Sequence, residues 1–269
     1  MSPKPRARRY AIVSGKGGVG KTVITANLAA ALAARGSRTL VVDADLGLAN
    51  LDVILGLNPS GTLQDVLSGD LPVEEILLST RGGFDLLPAG SGTMEATLLT
   101  PALAESVQAM LEKLEPGYDA ILFDAGAGIG EVVLFFARLA DEILLVVTPE
   151  PTSLMDAYAT VKVLALRFGC NNFRLVVNQT NPRNPEQSGS LVADRLQQVI
   201  SRFLSNESSK PVRIHLAGVL PSDPAIGRAI ARQKLLQETD PSAPALTRIR
   251  RLAESLDSAS QPAGECSTA

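Results

Sequence analysis

The chain has 269 residues, of which 45 % are hydrophobic, so it is long enough to bury the core of one sizeable α/β domain. Its net charge of −3 at pH 7 argues against nucleic-acid binding by the surface as a whole. No apolar run reaches the roughly 18 residues that a transmembrane helix needs, and the basic N-terminus does not have the pattern of a signal peptide, so we expect a cytoplasmic protein.

Apolar runs alternate with helical patterns along the chain. This order predicts a doubly wound, mostly parallel sheet of about seven or eight strands flanked by helices. The predicted strands are Tyr10–Ser14, Arg38–Val42, Phe84–Pro88, Ala120–Phe123, Glu142–Thr148, Arg174–Asn178 and Arg213–Leu220. The predicted helices are Val23–Ala34, Pro101–Leu114, Glu131–Leu139, Ser153–Phe168, Leu191–Phe203 and Ala243–Leu256. The segment Gln179–Gly189 is rich in Pro and Asn and is predicted to be a surface loop.

The first predicted strand runs into a glycine-rich segment, Gly15–Thr22, that fits the P-loop pattern G-x-x-x-x-G-K-[ST]. A strand before it and a helix after it supply the structural context that this pattern needs. Its glycines let backbone N–H groups converge on phosphate oxygens at the positive end of the helix dipole. Lys21 is expected to reach the β- and γ-phosphates of a nucleotide, and the Thr22 hydroxyl to ligate Mg²⁺.

The P-loop contains a second lysine, Lys16, that the general pattern does not require. This side chain cannot easily fold back onto a nucleotide held by its own loop. It could instead reach a nucleotide in a facing subunit as a cationic finger. The alternative is an ordinary solvated lysine.

Two further predicted strands end in carboxylates, and ligands of such sheets bind at the carboxyl ends of strands. Asp43 and Asp45 follow the second strand, so one can support Mg²⁺ through water and the other can orient an attacking water. An Asp-rich turn is the alternative for this pair. Asp124 ends another apolar run, as in a Walker B segment, and the glycines up to Gly130 suit a loop that senses the γ-phosphate through backbone N–H groups.

Together these segments resemble the MinD/ParA class of P-loop ATPases. The P-loop is similar to the deviant Walker A of that class with its signature lysine, Asp43–Asp52 to its switch I and Asp124–Gly130 to its switch II. Within the class, Asp45–Leu57 is shared in type by MinD and by the flagellar-number regulators FlhG, also called FleN. The runs Leu87–Thr93 and Glu150–Lys162 favour the flagellar regulators. The resemblance covers nearly the whole chain.

We expect three parts in the chain. A basic N-terminal arm at residues 1–9 precedes a single P-loop ATPase domain at residues 10–256, and a flexible C-terminal tail follows at residues 257–269.

The resemblance implies a role for each matching residue. Lys16 would contact the partner subunit's ATP in a sandwich dimer, Lys21 would hold the β- and γ-phosphates, and Asp45 would position the water. These three are the expected catalytic residues. Mg²⁺ would be held by Thr22 directly and by Asp43 and Asp124 in its outer shell. The residues expected to contact ATP or ADP are Gly15, Lys16, Gly17, Gly18, Val19, Gly20, Lys21, Thr22, Val23, Glu150, Asn178, Pro221 and Asp223.

The base end of the site is also implied by the resemblance. Asn178 would bond the adenine, the segment with Pro221 and Asp223 would form a second base contact, and Glu150 would reach a ribose across the dimer. From the residues alone, Asn178 could equally be a strand-end turn residue, and Asp223 could be a helix N-cap before Pro224.

The sequence departs from the class at three places. Val23 stands where relatives usually carry Thr, Asn or Ser, so a side-chain contact to the nucleotide is missing although the backbone N–H can still reach the α-phosphate. Ala125 replaces the usual Thr or Ser of switch II, so a hydroxyl is missing there. The N-terminal arm lacks the Asp-Gln helix with which some FlhG proteins stimulate the GTPase FlhF, which puts that regulatory act in doubt.

The last predicted helix carries an apolar face, and two interpretations stay open for it. An amphipathic helix can lie on a membrane surface, as in MinD relatives, or it can be an ordinary last helix that packs on the sheet. The residues of this face are Leu246, Ile249, Leu252, Ala253 and Leu256.

The resemblance implies a Mg²⁺-dependent ATPase switch that forms an ATP-sandwich homodimer and regulates flagellar number and placement, with the FlhF GTPase or a flagellar transcription regulator as its partner. The alternatives are a MinD-type division-site ATPase on membrane and a ParA-like ATPase that positions cargo on DNA. Peripheral contact at the inner face of the cell membrane stays open for a flagellar regulator as well as for a MinD-type protein. DNA is the less expected partner, because the candidate contacts fit a solvated basic face. They are Arg228, Arg232, Lys234, Arg248, Arg250 and Arg251.

Overall fold

The computed structural model describes residues 6–45, 50–90, 100–204, 207–208 and 210–258. Its centre is an eight-stranded sheet with the order β3-β4-β2-β5-β1-β6-β7-β8. The strands are β1 (Arg8–Ser14), β2 (Thr39–Ala44), β3 (Leu78–Ser79), β4 (Asp85–Leu87), β5 (Ala120–Ala127), β6 (Glu142–Val147), β7 (Asn172–Thr180) and β8 (Arg213–Pro221). All neighbouring strands pair in parallel except β3 and β4. The predicted doubly wound, mostly parallel sheet is confirmed.

Helices connect the strands within the described part of the chain. They are α1 (Lys21–Ala33), α2 (Leu51–Leu55), α3 (Leu63–Leu67), α4 (Val73–Ile76), α5 (Pro101–Leu114), α6 (Glu131–Leu139), α7 (Pro151–Phe168), α8 (Pro185–Leu204), α9 (Pro224–Ala231), α10 (Leu236–Thr239) and α11 (Pro244–Ser258).

Both faces of the sheet are buried. In β1, Ala11 and Val13 enter one apolar cluster while Tyr10 and Ile12 enter another on the opposite face. Helices α5 to α8 contribute to the first cluster, and α1 with α9 to α11 contributes to the second. Burial on both sides explains why the central strands are continuous runs of Ile, Leu and Val rather than alternating patterns.

The three central strands bring the polar motifs to one edge of the sheet. Because β1, β2 and β5 are parallel neighbours, their carboxyl ends lie side by side. The register pairs Asp43 of β2 with Asp124 of β5, and Ile12 of β1 with the same Asp124. The P-loop and both carboxylates therefore meet at this edge.

Several strands are longer than predicted, among them β7, which was predicted at Arg174–Asn178 and runs from Asn172 to Thr180. β1 begins at Arg8 and so includes Arg8 and Arg9, the last two residues of the expected basic arm. β5 continues to Ala127, so its predicted end at Phe123 is wrong. The small residues after Asp124 stay in the strand because both neighbouring strands extend alongside them, with Ala125 paired to Ala44 and Ala127 to Ser14.

The prediction of a surface loop at Gln179–Gly189 is wrong at both ends, because β7 continues to Thr180 and α8 already begins at Pro185. Proline suits the first helical position, where its missing N–H is not needed. The short helices α2, α3, α4 and α10 and the two-residue strand β3 were not predicted, and α9 was anticipated only by the alternative of an N-cap at Asp223. Each is shorter than the window over which a hydrophobic period can be recognised.

The apolar face of α11 is buried in the domain. Leu246, Ile249, Leu252, Ala253 and Leu256 are each at most 2 % exposed, and the helix packs against α1 and β8. Of the two interpretations of this helix, the one in which it packs on the sheet is confirmed. Among the described helices, none has the length and apolar character needed to cross a bilayer. Residues 1–5 of the arm and 259–269 of the tail lie outside the described residues.

Candidate functional site

The P-loop wraps the amino end of α1 in a conformation that depends on its glycines. Gly18 and Gly20 have φ angles of 76° and 94°, in the left-handed region that favours glycine. Gly15 lies directly against α7, where any Cβ would collide with the backbone of Asp156. The loop geometry therefore restricts the side chains at three of its glycine positions.

Lys21 forms the buried inner half of the P-loop. Its side chain leads to Ser14, where Lys21 Nζ donates to Ser14 Oγ at 2.8 Å, and the whole residue is only 8 % exposed. Ser14 Oγ in turn donates to the carbonyl of Lys16 at 2.7 Å. Burial lowers the pKa of Lys21, and the charges of Asp124 and Asp45 oppose that shift. The amine of Lys21 is thus held beside the loop with carboxylates nearby.

Asp124 lies at the bottom of the site and is 2 % exposed. Its carboxylate accepts a hydrogen bond from Thr25 at 2.8 Å. Burial raises its pKa to about 6, against the opposing effects of the Thr25 and Thr22 hydroxyls and of Lys21. The carboxylate ties β5 to the first turn of α1.

Asp43 is the neighbouring carboxylate at the end of β2 and is also 2 % exposed. Its pKa is raised to about 8, mainly by burial and then by the charge of Asp124. It accepts backbone N–H bonds from Asp45 at 3.1 Å, Asn50 at 3.3 Å and Leu51 at 3.4 Å. The carboxylate therefore also holds the two ends of switch I, as the turn interpretation expected.

Two buried carboxylates with raised pKa values beside a threonine hydroxyl fit a divalent cation, because a cation would compensate the charges that burial disfavours. Within the described residues, no group of three or more His, Cys, Asp or Glu side chains could hold a metal ion. A Mg²⁺ ion here would need phosphate oxygens and waters in addition to Thr22, which is the usual arrangement for this ion.

Asp45 lies at the start of switch I and faces switch II. A Cβ added to Gly126 would lie 3.4 Å from the carboxylate of Asp45, so the two switch segments are in close contact. Switch I residues 46–49 lie outside the described residues. The geometry brings Asp45 to the same edge of the sheet as Asp43 and Asp124.

Lys16 takes a different direction from Lys21. Its Nζ lies 2.7 Å from Glu150 Oε2 and 3.3 Å from Thr152 Oγ1, at the amino end of α7. Both partners of the ion pair are accessible, with side-chain exposures of 39 % for Lys16 and 59 % for Glu150. Within one chain, Glu150 is therefore joined to Lys16 rather than to the base end of the site.

A cavity of about 430 Å³ lies next to the P-loop, where the base of a nucleotide is expected. It is lined by Asn178, Pro221 and Asp223, together with Thr22 and Val23. Asn178 is 4 % exposed and donates through Nδ2 to the carbonyl of Val19 at 2.8 Å. Its Oδ1 is buried and has no hydrogen-bond partner among the described residues, so it can accept a bond from an amino group in the cavity.

Asp223 is a helix N-cap. Its Oδ1 accepts from the N–H of Ala225 at 2.9 Å, and its Oδ2 accepts from the N–H of Ala245 at 3.1 Å. Both carboxylate oxygens therefore hold the amino ends of α9 and α11. A direct bond from Asp223 to a base would have to share these oxygens.

Sequence reasoning missed several residues of the site. Ser14 and Thr25 bond to Lys21 and Asp124, and Gln179 donates to the carbonyl of Gly18 at 3.4 Å. The apolar side of the cavity is formed by Ile226, Gly227, Ile230 and Ile249. The position of Ser14 directly before the P-loop was a usable signal, whereas the others carry no motif.

Two of the positions at which the sequence departs from the MinD/ParA class, Val23 and Ala125, lie inside the domain. Val23 lines the cavity, so its backbone stays near the expected nucleotide position. Ala125 is buried within β5 at 2 % exposure, where a hydroxyl would point into a covered sheet.

Comparisons with known proteins agree with this geometry. Residues 10–237 match the family model described as the CobQ/CobB/MinD/ParA nucleotide binding domain. The antiactivator FleN of Pseudomonas aeruginosa is 39 % identical over 94 % of this chain and 87 % of its own length. The flagellum site-determining protein YlxH of Helicobacter pylori is 31 % identical over 89 % of this chain and 78 % of its own length.

The fold comparison gives the same result. The septum site-determining protein MinD of Pyrococcus horikoshii, solved in complex with Mg-ADP, superposes with a TM-score of 0.72 and 28 % identity over 94 % of this chain and 96 % of its own. The extent of these matches and the intact P-loop lead to one conclusion: the chain belongs to the CobQ/CobB/MinD/ParA family of nucleotide-binding proteins and is a P-loop ATPase of the MinD/ParA class.

Proposed function

We propose that this chain is a Mg²⁺-dependent ATP switch that forms an ATP-sandwich homodimer and regulates the number and placement of flagella. The observation that carries the dimer is the separation of the two P-loop lysines. Lys21 is buried against Ser14, whereas Lys16 points outward to the accessible Glu150. One lysine serves the nucleotide of its own chain, and the other is available to a second chain.

The contact that holds Lys16 within its own chain is easily exchanged. An ion pair between exposed side chains contributes about 0 to 1 kcal/mol, because water screens both charges. A phosphate of the partner subunit's nucleotide is a stronger acceptor for the same ammonium group. Release of Lys16 also frees Glu150, which is then placed to reach the ribose across the dimer.

The remaining residues act on the nucleotide of their own chain. Lys21 and the P-loop amides hold the β- and γ-phosphates, Asp45 orients the attacking water, and Asn178 accepts from the adenine amino group. A bound Mg²⁺, held by Thr22 and supported by Asp43 and Asp124, would neutralise phosphate charge. The MinD relative solved with Mg-ADP supports this assignment.

The flagellar role rests on the relatives FleN and YlxH, which match most of the chain. The output of such a switch is a contact made only in the ATP-bound dimer, with the FlhF GTPase or a flagellar transcription regulator as the proposed partner. The test is to express this chain in Pseudomonas aeruginosa cells that lack FleN and to count flagella by electron microscopy. A return to the flagellar number of the parent strain is expected, and an unchanged number at normal protein levels would contradict the role.

The dimer is tested by replacing the residue that orients water. An Asp45→Ala variant is expected to bind ATP without turnover and to elute as a dimer on gel filtration with ATP and Mg²⁺. Asp52→Ala is the matched control, since Asp52 lies in the same segment on α2 and, among the described residues, its carboxylate accepts only the N–H of the next residue, Val53. A monomeric Asp45→Ala protein with bound ATP would contradict the sandwich dimer.

A MinD-type role at the division site is the second candidate, because MinD shares the fold. The apolar face of α11 is buried, so membrane contact by that helix would require it to leave α1 and β8. Co-sedimentation with anionic liposomes in the presence of ATP is the test. Retention that needs ATP would favour the MinD-type role, and its absence would favour the flagellar one.

A further inference from the structure

The carboxyl end of β7 contains an irregularity beside the P-loop. On one side β7 pairs with β6 in regular register up to Val177. On the other side its register with β8 shifts between Val177 and Thr180. Thr180 is anchored beyond the shift, where its Oγ1 donates to the carbonyl of Leu220 at 3.1 Å. The two residues between, Asn178 and Gln179, form a bulge.

Gln179 has a backbone conformation that is uncommon for a residue with a side chain. Its φ is 55°, in the left-handed region. Such a conformation costs a non-glycine residue free energy and persists only where the surroundings stabilise it. Neither Gly nor Asn, the residues that adopt this region most readily, occupies the position.

The bulge changes where the two side chains point. In a regular strand Asn178 and Gln179 would point to opposite faces of the sheet. A bulge can redirect a side chain, and here both side chains reach the same loop. Asn178 Nδ2 donates to the carbonyl of Val19 at 2.8 Å, and Gln179 Nε2 donates to the carbonyl of Gly18 at 3.4 Å. Two consecutive residues of β7 thus hold two consecutive carbonyls of the P-loop.

Holding a carbonyl also fixes an N–H. In a planar trans peptide the C=O and the following N–H point in opposite directions. With the carbonyls of Gly18 and Val19 turned toward β7, the N–H groups of Val19 and Gly20 are turned away from it. The contact with Gly20 is close as well, since a Cβ there would lie 2.5 Å from Asn178 Nδ2.

We infer that Asn178 and Gln179 form a clamp that presets the Val19 and Gly20 amides for phosphate binding, with Gln179 as a positioning residue that acts on the loop and not on the base. This inference rests on the proposal that the P-loop amides hold the phosphates. Through Asn178, which also lines the cavity at the expected base end, the clamp joins base recognition to the geometry of the phosphate cradle.

The test separates phosphate binding from base binding by equilibrium displacement of a fluorescent ADP analogue. The competitors are ATP, inorganic tripolyphosphate and adenosine. Gln179→Met keeps the length of the side chain and removes its donor. Gln179→Gly removes the side chain but accepts the left-handed backbone without strain. Gln198→Met is the control, because Gln198 is exposed on α8.

Both Gln179 variants are expected to weaken ATP and tripolyphosphate by the same factor, about three- to tenfold, the usual effect of one hydrogen bond. Adenosine binding and the control are expected to be unchanged. The melting temperature of Gln179→Gly is expected to stay level or rise, which a merely structural role would not allow.

Three results would overturn the inference. Weaker ATP binding with unchanged tripolyphosphate binding would place Gln179 on the base or ribose. No change for either competitor would mean that the bond to Gly18 does not set the loop. Failure of the wild-type chain to bind tripolyphosphate at all would remove the premise that the loop amides hold phosphate. The wild-type measurement therefore separates failure of the proposed function from failure of the clamp.

Discussion

The inner and outer halves of the P-loop differ in how they are held. Lys21, at the inner end, is 8 % exposed and lies among Ser14, Asp124 and the first turn of α1. Lys16, at the outer end, is joined to Glu150 by an accessible ion pair. Buried contacts are costly to break and exposed ones are not. The inner half is therefore suited to holding the nucleotide of its own chain, and the outer half to an exchange between Glu150 and a second chain.

The largest difference between the halves is expected in nucleotide affinity. Lys21→Met should weaken ATP and ADP binding by about 2 to 5 kcal/mol, because it removes one charged partner of a desolvated contact. Lys16→Met should leave the affinity of the monomer for ADP unchanged. Isothermal titration calorimetry with both variants measures this, and equal losses for the two lysines would erase the distinction.

The buried carboxylates beside the inner half of the P-loop, Asp43 and Asp124, should also make the nucleotide-free protein sensitive to pH. The pKa values of Asp124 and Asp43 are raised to about 6 and about 8 from an ordinary value near 4, so folding favours their protonated forms. This stabilisation is complete below the unfolded pKa and is lost as the pH rises through the folded values.

The melting temperature without nucleotide should therefore fall between about pH 4 and pH 8, with a stability loss on the order of a few kcal/mol. Asp43→Asn should flatten the upper part of the profile, whereas Asp52→Asn should not. A flat wild-type profile would show that the two carboxylates are not desolvated in the folded protein.

A smaller effect is expected from the single hydrogen bond that joins Thr25 to Asp124 beside the inner half of the P-loop. Thr25→Val keeps the shape of the side chain but deprives the buried Asp124 of its 2.8 Å bond, at a cost of about 1 to 3 kcal/mol in the free energy of unfolding. Thr160→Val is the matched control, because Thr160 is equally buried and, within the described part of the chain, bonds only the carbonyl of Asp156. Urea denaturation compares the two, and an equal loss would mean that Asp124 gains nothing specific from Thr25.

The smallest effect on stability belongs to the outer half. Lys16→Gln and Glu150→Gln should each change the free energy of unfolding by less than about 1 kcal/mol, because their pair is exposed. Lys16→Gln should nevertheless abolish ATP hydrolysis while sparing nucleotide affinity. A normal turnover rate for this variant would remove the role proposed for Lys16.

The same contrast explains which parts of the structure were predictable. The P-loop and the strand-end carboxylates follow fixed spacings, and the parallel sheet brings them together, so the sequence was sufficient for them. The clamp residue Gln179 was missed because a left-handed glutamine has no sequence signal, unlike a glycine.

Other gaps have equally local causes. The predicted end of β5 at Phe123 is too early because Ala125, Gly126 and Ala127 have low strand propensity. Pairing with strands on both sides keeps these residues extended. Thr25 gave no signal because one threonine on an amphipathic or buried helix is indistinguishable from another until its distant partner is known. The motif suggests different roles for Lys16 and Lys21, and the difference in their burial supports that proposal.

The central claim, that Lys16 serves the nucleotide of a second chain, is tested most directly by mixing two inactive variants. Lys16→Gln retains Asp45 but supplies no lysine to its partner, and Asp45→Ala supplies the lysine but cannot orient water. In mixed dimers one site is complete. A 1:1 mixture should recover on the order of a quarter of the wild-type hydrolysis rate, because half of randomly formed dimers are mixed and each has one complete site. If Lys16 acts within its own chain, the mixture will stay as inactive as either variant alone.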